Sequence, residues 1–350
     1  MKRYHVFFAC CTLTTVLFSS LAHTPALAGK GGKGGNNGGD GNPPTVLYEI
    51  ELLGTFGGSL SRAHDINGAG EVVGMSTNSA SDYRAFVATP GDDNNDGVPE
   101  YEMFDLNEIA DVPQGWTAHT ATSINQFGKI AGILLKDDGV TRAVFVYDPN
   151  VSGPDTVNLT IIAEGTGPRA SINDLGEVAF ELKDSNGSHV HLYNSITEDL
   201  TDLNIVGWAT GLNNAGQVVG TLTAGGSFPT DLGSGMTPFG DIDQAWAIND
   251  AGSFTGDTLA GRNAHPAYRY SDDDGLRLLQ SGKRAVGMGL GINSHGDVCG
   301  RIDNYVGFLF RDELGLLKLD DLVDGTAGEL ATWFNSGINA TSVNNRDSVY

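Results

Sequence analysis

The chain is predicted to be all-β: a β-propeller of six to seven four-stranded blades, preceded by a signal peptide and a Gly-rich linker. Three observations predict this. A short pattern, small-x-x-aliphatic-Asn-x-x-Gly-x-aliphatic-x-Gly, recurs along the 350 residues. Every copy sets two short aliphatic runs on either side of a turn. Most copies are followed by two further strand-like runs, one carrying an aromatic residue and one rich in leucine.

The pattern is clearest at 63–74 (AHDINGAGEVVG). It returns at 121–132 (ATSINQFGKIAG), 209–220 (ATGLNNAGQVVG), 245–256 (AWAINDAGSFTG) and 289–300 (GLGINSHGDVCG). A weaker copy occupies 169–180 (RASINDLGEVAF), where Arg169 replaces the small residue, and a last one (ATSVNNRDSVY) fills 340–350. The repeated asparagines are Asn67, Asn125, Asn173, Asn213, Asn249, Asn293 and Asn344, at intervals of 36 to 58 residues. A unit of roughly 45 residues lies in the range of propeller blades. Asn hydrogen-bonds its own backbone two residues on and Gly supplies positive φ, so Asn-x-x-Gly reads as a tight hairpin turn. The Gly seven residues after each Asn (Gly74, Gly132, Gly220, Gly256, Gly300) falls inside the second strand, where it signals a bulge or a close backbone approach. The third strand reads RAFV at 84–87, AVFVY at 143–147, HVHLY at 189–193, AYRY at 267–270 and VGFLF at 306–310. Four strands per unit is the blade of a propeller. The small residue ahead of each aliphatic-Asn pair suits a strand crowded near a central axis.

These residues resemble the HAF-type extracellular repeat family. Leu53-Gly54-Thr55-Phe56-Gly57-Gly58 matches its opening Leu-Gly-x-Leu-Gly-Gly element, and Val72-Val73-Gly74-Met75-Ser76 its Val-Val-Gly-x-Ser element. Arg84-Ala85-Phe86 stands where the family has His-Ala-Phe. The resemblance covers about 53–350 and implies secretion and a repeated β architecture. It implies no settled activity and brings no catalytic residues.

The domains are expected as 1–28, a secretory signal peptide; 29–45, a disordered linker; and 46–350, the repeat domain. Lys2 and Arg3 form a positive n-region, 6–21 is apolar, and Ala26-Leu27-Ala28 is an A-x-A cleavage site. Cleavage removes Cys10 and Cys11 and leaves Cys299 alone, so no intramolecular disulfide is expected. Cys299 stands where sister units carry Val73 or Val219 and reads as a buried small hydrophobe. The stretch GKGGKGGNNGGDGNPP at 29–44 has nothing to bury. The following 46–53 (VLYEIELL) reads as a strand that completes the last blade. The seventh copy meets the last residue at the start of its second strand, which reads as a truncated product or a trimmed C-terminus.

A net charge of −23 argues against nucleic acid and anionic membranes, which need basic patches, and suits an extracellular or cell-surface protein. The sharpest motif is DDNNDGVPE at 92–100. Asp92, Asn94 and Asp96 have the 1, 3, 5 spacing of a calcium loop, Gly97 sits at the turn, Val98 offers a carbonyl and Glu100 a carboxylate. Position 12 is Met103 rather than the Glu of an EF-hand, so the loop resembles a DxDxDG hairpin loop. The alternative is an acidic turn with no ion. The shorter Ser271-Asp272-Asp273-Asp274-Gly275 holds the equivalent place in a later unit.

His189 and His191, two apart on a strand, have a chelating spacing but no evident third ligand. His64, His119 and His295 lie near the same hairpin in three units and would converge at one end of a propeller. Trp116, Trp208, Trp246 and Trp333 lie near the starts of repeats, as core residues or carbohydrate-stacking rim residues. No GxSxG elbow, P-loop or HExxH motif is present, and no carboxylate pair stands out.

The expected function is therefore a secreted or cell-surface, non-catalytic binding scaffold stabilised by calcium, with extracellular carbohydrate or a surface protein as partner. The alternatives are a propeller-type polysaccharide hydrolase or lyase, and a structural surface-layer component. Carboxylates from several blades around the axis would favour the enzyme. An axis lined by small and apolar residues would favour the scaffold.

Overall fold

The computed structural model describes residues 5–9, 15–21, 47–91, 100–151, 156–185, 187–231, 235–236, 242–258, 264–282, 284–303, 306–319 and 340–344. It is all-β apart from one turn of helix, and every strand pairing is antiparallel. The chain enters through β1 (His5–Ala9), β2 (Thr15–Leu21) and β3 (Leu47–Gly54). The first repeat forms β4 (Gly57–Ile66), β5 (Val72–Asn78), β6 (Tyr83–Gly91) and β7 (Glu100–Asp105), ending in α1 (Leu106–Ile109). The second forms β8 (Trp116–Ile124), β9 (Ile130–Lys136), β10 (Arg142–Tyr147) and β11 (Leu159–Glu164). Then follow β12 (Thr166–Ile172), β13 (Glu177–Asp184), β14 (Gly187–Asn194), β15 (Leu200–Leu212), β16 (Val218–Leu222), β17 (Ser227–Asp231) and β18 (Gly235–Met236). The last complete groups are β19 (Gln244–Ile248), β20 (Phe254–Asp257), β21 (Ala267–Ser271), β22 (Gly275–Leu278), and β23 (Gly287–Ile292), β24 (Val298–Ile302), β25 (Val306–Arg311), β26 (Gly315–Lys318); β27 (Ala340–Val343) ends the described chain.

These strands make five four-stranded sheets and one of seven strands, β12 to β18 in order. The expectation of six to seven separate four-stranded blades is corrected accordingly. The cause lies in β15. Its first half pairs with β14 and its second half, from Gly207, pairs with β16. No turn breaks the strand between them, so the outer strand of one repeat runs on as the inner strand of the next.

The sheet that joins the chain ends has the order β27-β1-β2-β3. β3 lies in the same sheet as the last repeat, as the strand expected over 46–53 should. It reaches β27 only across β1 and β2, which fall within the segment read as a leader. The linker read at 29–45 lies outside the described residues.

Three local rules of the repeat hold the ring together. The first is the hairpin. In each complete copy the Gly three residues after Asn has positive φ, from 76° at Gly128 and Gly216 to 88° at Gly70, which L side chains rarely adopt. The Asn Oδ1 accepts from the backbone N–H groups that close this turn, as Asn213 does from Ala215 and Gln217 at 3.1 and 2.9 Å.

The second rule is the Gly seven residues on. Gly74, Gly132, Gly220, Gly256 and Gly300 pair directly with Phe86, Phe145, Phe228, Tyr268 and Phe308 on the third strand. A Cβ on Gly74 would meet Arg62 O at 1.9 Å and the Phe86 ring at 2.8 Å. The glycine thus opens the slot filled by a fully buried aromatic. The weak copy reverses the pair: Phe180 takes the glycine position, His191 sits opposite, and the rings stack at 6.2 Å.

The third rule is a ring. Each repeated Asn donates its Nδ2 to the main-chain oxygen of the next repeated Asn: Asn67 to Asn125, Asn125 to Asn173, Asn173 to Asn213, Asn213 to Asn249, Asn249 to Asn293 and Asn293 to Asn344. Asn344 then donates to Asn67 O at 3.3 Å. Seven side chains so close a circuit, and all seven are buried.

Candidate binding site at the axial channel

The inner strands surround a cavity of about 220 Å³ that opens at the Asn hairpins. Each complete inner strand but that of the third repeat is locally irregular just before its hairpin. Against the second strand, the first strand shifts register between Ala63 and Asp65, Ala121 and Ser123, Ala209 and Gly211, Ala245 and Ala247, and Gly289 and Gly291. A bulge re-aims the extra residue. That residue is His64, Thr122, Thr210, Trp246 or Leu290. Three of them bond the next inner strand: His64 Nδ1 to Ala121 O at 2.9 Å, Thr122 Oγ1 to Ala170 O at 2.6 Å and Thr210 Oγ1 to Ala245 O at 2.7 Å. Thr341 Oγ1 makes the same kind of bond to Ala63 O at 3.2 Å.

At the mouth, the residues that follow the first five repeated asparagines bond one another in sequence. Gln126 accepts from Gly68 N, Asp174 from Gln126 N, Asn214 from Asp174 N and Asp250 from Asn214 N, all between 2.7 and 2.9 Å. Asn214 also donates its amide to Asp174 and Asp250, at 2.9 Å each. Beside this polar rim stand Phe127 and Leu175, on neighbouring hairpins, 62% and 55% exposed. Below the rim lies an aliphatic collar that includes Ile66, Ile124, Leu212, Ile248 and Val343.

Three carboxylates from different repeats, Asp65, Asp174 and Asp250, therefore line one cavity. Each is already engaged. Asp65 accepts from Ile66 N and Ser342 Oγ on one oxygen, and from Ser123 Oγ and Ile124 N on the other, at 2.8 to 3.0 Å. Burial raises its carboxyl above the usual range while these four donors oppose the shift. Both oxygens of Asp174 and of Asp250 are likewise taken by rim donors.

Away from the cavity lining, the Arg169 guanidinium lies over the Trp246 ring, 4.5 Å from its centroid. Burial lowers the Arg169 pKa, and Glu181 nearby opposes that shift. Burial also lifts the Glu181 carboxyl to about 7, against the pull of Arg169 and Lys183. Gly167 leaves the space that the Glu181 side chain fills. His64 is held neutral: burial lowers its pKa to about 4.

The residues singled out in the sequence are scattered. Asp92, Asn94, Asp96 and Val98 lie outside the described residues, and Glu100 begins β7. The 271–275 stretch is the tight β21–β22 turn, with Asp274 3.6 Å from Arg269. His64, His119 and His295 do not converge. His64 Nδ1 is bonded to Ala121 O, the His119 ring lies tilted against Tyr83 at 5.0 Å, and His295 N closes the Asn293 turn. His189 and His191 do line one small cavity with Glu164, Asp184 and Asp202. His191 Nδ1, however, is bonded to His189 O rather than aimed at a shared point. Of the tryptophans, Trp116 carries Lys136 over its ring and Trp208 is 39% exposed. Trp246 lies against Arg169 and donates to Asp257, and Trp333 lies outside the described residues. Cys299 is buried and its thiol pKa is pushed up by burial, as its sequence position implied.

No family model matches the chain, and no curated protein matches it. Among solved structures it is similar to a prolyl endopeptidase at 10% identity, over 89% of this chain and 49% of that one, with a TM-score of 0.52. It is also similar to TolB from Acinetobacter baumannii (12% identity, 72% of this chain and 62% of that one, TM-score 0.45). A third is the β-propeller domain of the Trilobed protease from Pyrococcus furiosus (12% identity, 76% and 98%, TM-score 0.42). The chain thus spans less than two thirds of the prolyl endopeptidase and TolB chains. At such identities the likeness is one of fold, and the fold is an all-β propeller of repeated antiparallel sheets.

Proposed function

We propose that the chain is a non-catalytic binding scaffold, secreted or carried on the cell surface, that recognises its partner at the Asn-hairpin mouth of the axial channel. The observation that carries this reading is the engagement of Asp65, Asp174 and Asp250: a carboxylate whose two oxygens are committed to structural donors is poorly placed to move protons. The mouth offers instead a polar rim beside two exposed apolar side chains, Phe127 and Leu175, on a rigid ring. An apolar face next to hydrogen-bonding groups suits an extracellular carbohydrate or a surface protein. Counting β15 once for each repeat it serves makes the scaffold a ring of seven units, a count that the seven-membered Asn circuit supports. The HAF-type resemblance, the leader read at 1–28 and the calcium loop at Asp92, Asn94, Asp96, Val98 and Glu100 belong to the same extracellular reading.

The test is electrophoresis of the intact chain through gels that contain xylan, alginate or an α-glucan. Retardation by one of them that disappears in Phe127→Ala/Leu175→Ala, a variant that leaves the Asn circuit untouched, is the expected result. Equal retardation of both proteins moves the binding face elsewhere. One observation favours the second reading, a polysaccharide hydrolase: burial lifts the Glu181 carboxyl to about 7 with Arg169 nearby. New reducing ends that depend on Glu181 would select it.

A further inference from the structure

A second set of side chains gathers where β19 begins, β20 ends and β21 begins. Because β20 pairs antiparallel with both neighbours, Gln244 lies opposite Asp257 and Asp257 opposite Ala267. This brings Asp243, Asp257 and His265 to one end of the sheet. That end is opposite the Asn249 hairpin, which joins β19 to β20. One carboxylate oxygen of each aspartate and one ring nitrogen of His265 all lie within 4.8 Å of one another. Asp257 is only 7% exposed, while Asp243 and His265 are half-buried. Trp246 Nε1 donates to Asp257 Oδ1 at 3.1 Å. The other oxygen of Asp257 has no hydrogen-bond partner among the described residues.

We propose that Asp243, Asp257 and His265 are three ligands of a divalent transition-metal site of the zinc class, with further coordination positions left to solvent or to a bound partner. The donor set carries the choice of metal. An imidazole with two carboxylates suits zinc and its neighbours, whereas calcium and magnesium prefer all-oxygen shells. Zinc bonds such ligands at about 2.0–2.2 Å, which sets neighbouring ligand atoms about 3.4 Å apart in a tetrahedral site. Small side-chain rotations bring three atoms within 4.8 Å to that spacing. The unpaired oxygen of a nearly buried carboxylate is then filled by the ion. Trp246 takes the supporting part that an outer-shell donor plays, fixing the Asp257 carboxylate through its first oxygen. The same Trp246 lies under Arg169, so an ion here also steadies that cation–π pair.

The experiment is calorimetric titration of the intact chain with zinc chloride at neutral pH after dialysis against chelator, with tryptophan emission followed in parallel. One ion per chain is expected, with an emission change that Trp246→Phe removes. His265→Ala and Asp243→Asn, both half-buried and so tolerant of change, should each weaken zinc affinity roughly tenfold or more. Asp257→Asn should do the same, and if it does not fold, the other two variants decide. Calcium chloride should not compete, which separates this site from the 92–100 loop. Absence of zinc binding at about 1 mM, or binding that His265→Ala and Asp243→Asn leave unchanged, overturns the proposal.

Discussion

Replacing Asn213 by Asp isolates the inter-repeat bond from the turn. The carboxylate keeps an oxygen where Oδ1 accepts from Ala215 N and Gln217 N, and Asp forms such turns readily. What it loses is the donor. Nδ2 of Asn213 gives one hydrogen bond to Gln217 Oε1 at 2.7 Å and one to Asn249 O at 2.9 Å, with the side chain buried. After the substitution an oxygen faces two oxygens. Two lost hydrogen bonds contribute about 1 kcal/mol each, and the abandoned buried acceptors and an unpaired buried charge raise the cost to about 3–5 kcal/mol. Equilibrium urea unfolding of the intact chain measures it, with Asn213→Ala as the variant that loses both turn and bond. If Asn213→Asp stays within about 1 kcal/mol of wild type, the turn alone explains the asparagine and the circuit is incidental.

Other consequences follow from the same geometry. Gly220→Ala would set a Cβ 1.9 Å from Trp208 O and 2.8 Å from the Phe228 ring, so a loss of about 3 kcal/mol or more is expected in the same unfolding assay. Two buried groups give opposite pH slopes. His64, lowered from 6.5 to about 4, makes the fold lose stability as pH falls across that window, because only the unfolded chain takes up the proton. His64→Leu should flatten that acid limb. Glu181, raised from 4.5 to about 7, makes the fold lose stability as pH rises across its window, because the unfolded chain gives up the proton first; Glu181→Gln should remove that slope. For the 92–100 loop, calcium should raise the thermal midpoint of the intact chain and Asp96→Ala should abolish the rise. An unchanged midpoint at millimolar calcium excludes the loop as a calcium site.

Much of this was legible in the residues, and the misses have physical causes. The hairpins and the all-β class follow from Asn-x-x-Gly, because that turn is made within a few residues of chain. The Asn circuit was hidden because its partners lie 36 to 58 residues apart. A signal was present all the same. The turn needs only an acceptor, which Asp would supply, yet every copy carries Asn, whose extra group is a donor. The in-strand glycines pointed to a close approach, but the aromatic that closes on each was visible only once register was known. The third repeat, which reads as the weaker copy with Arg169 in place of the small residue, also carries Phe180 at the glycine position and His191 at that of the aromatic. The even spacing of His189 and His191 suggested chelation, while β14 ties His191 to the backbone of its neighbour. Trp246 reads in sequence as one more core aromatic. The bulge between Ala245 and Ala247 is what turns it toward Arg169 and Asp257. Blade count was the least legible quantity, since the hand-over within β15 is marked only by a local irregularity at Asn204, whose φ is 56°, and not by a turn that ends the strand.

The reading of the channel as a binding mouth rests on carboxylates that are structurally occupied. The most direct test is a time course of the intact chain with xylan, alginate and an α-glucan, with new reducing ends quantified by mass spectrometry. No release above the blank is the predicted result. Release that falls away in Asp65→Asn or in Asp174→Asn/Asp250→Asn, with the protein still folded, would contradict it.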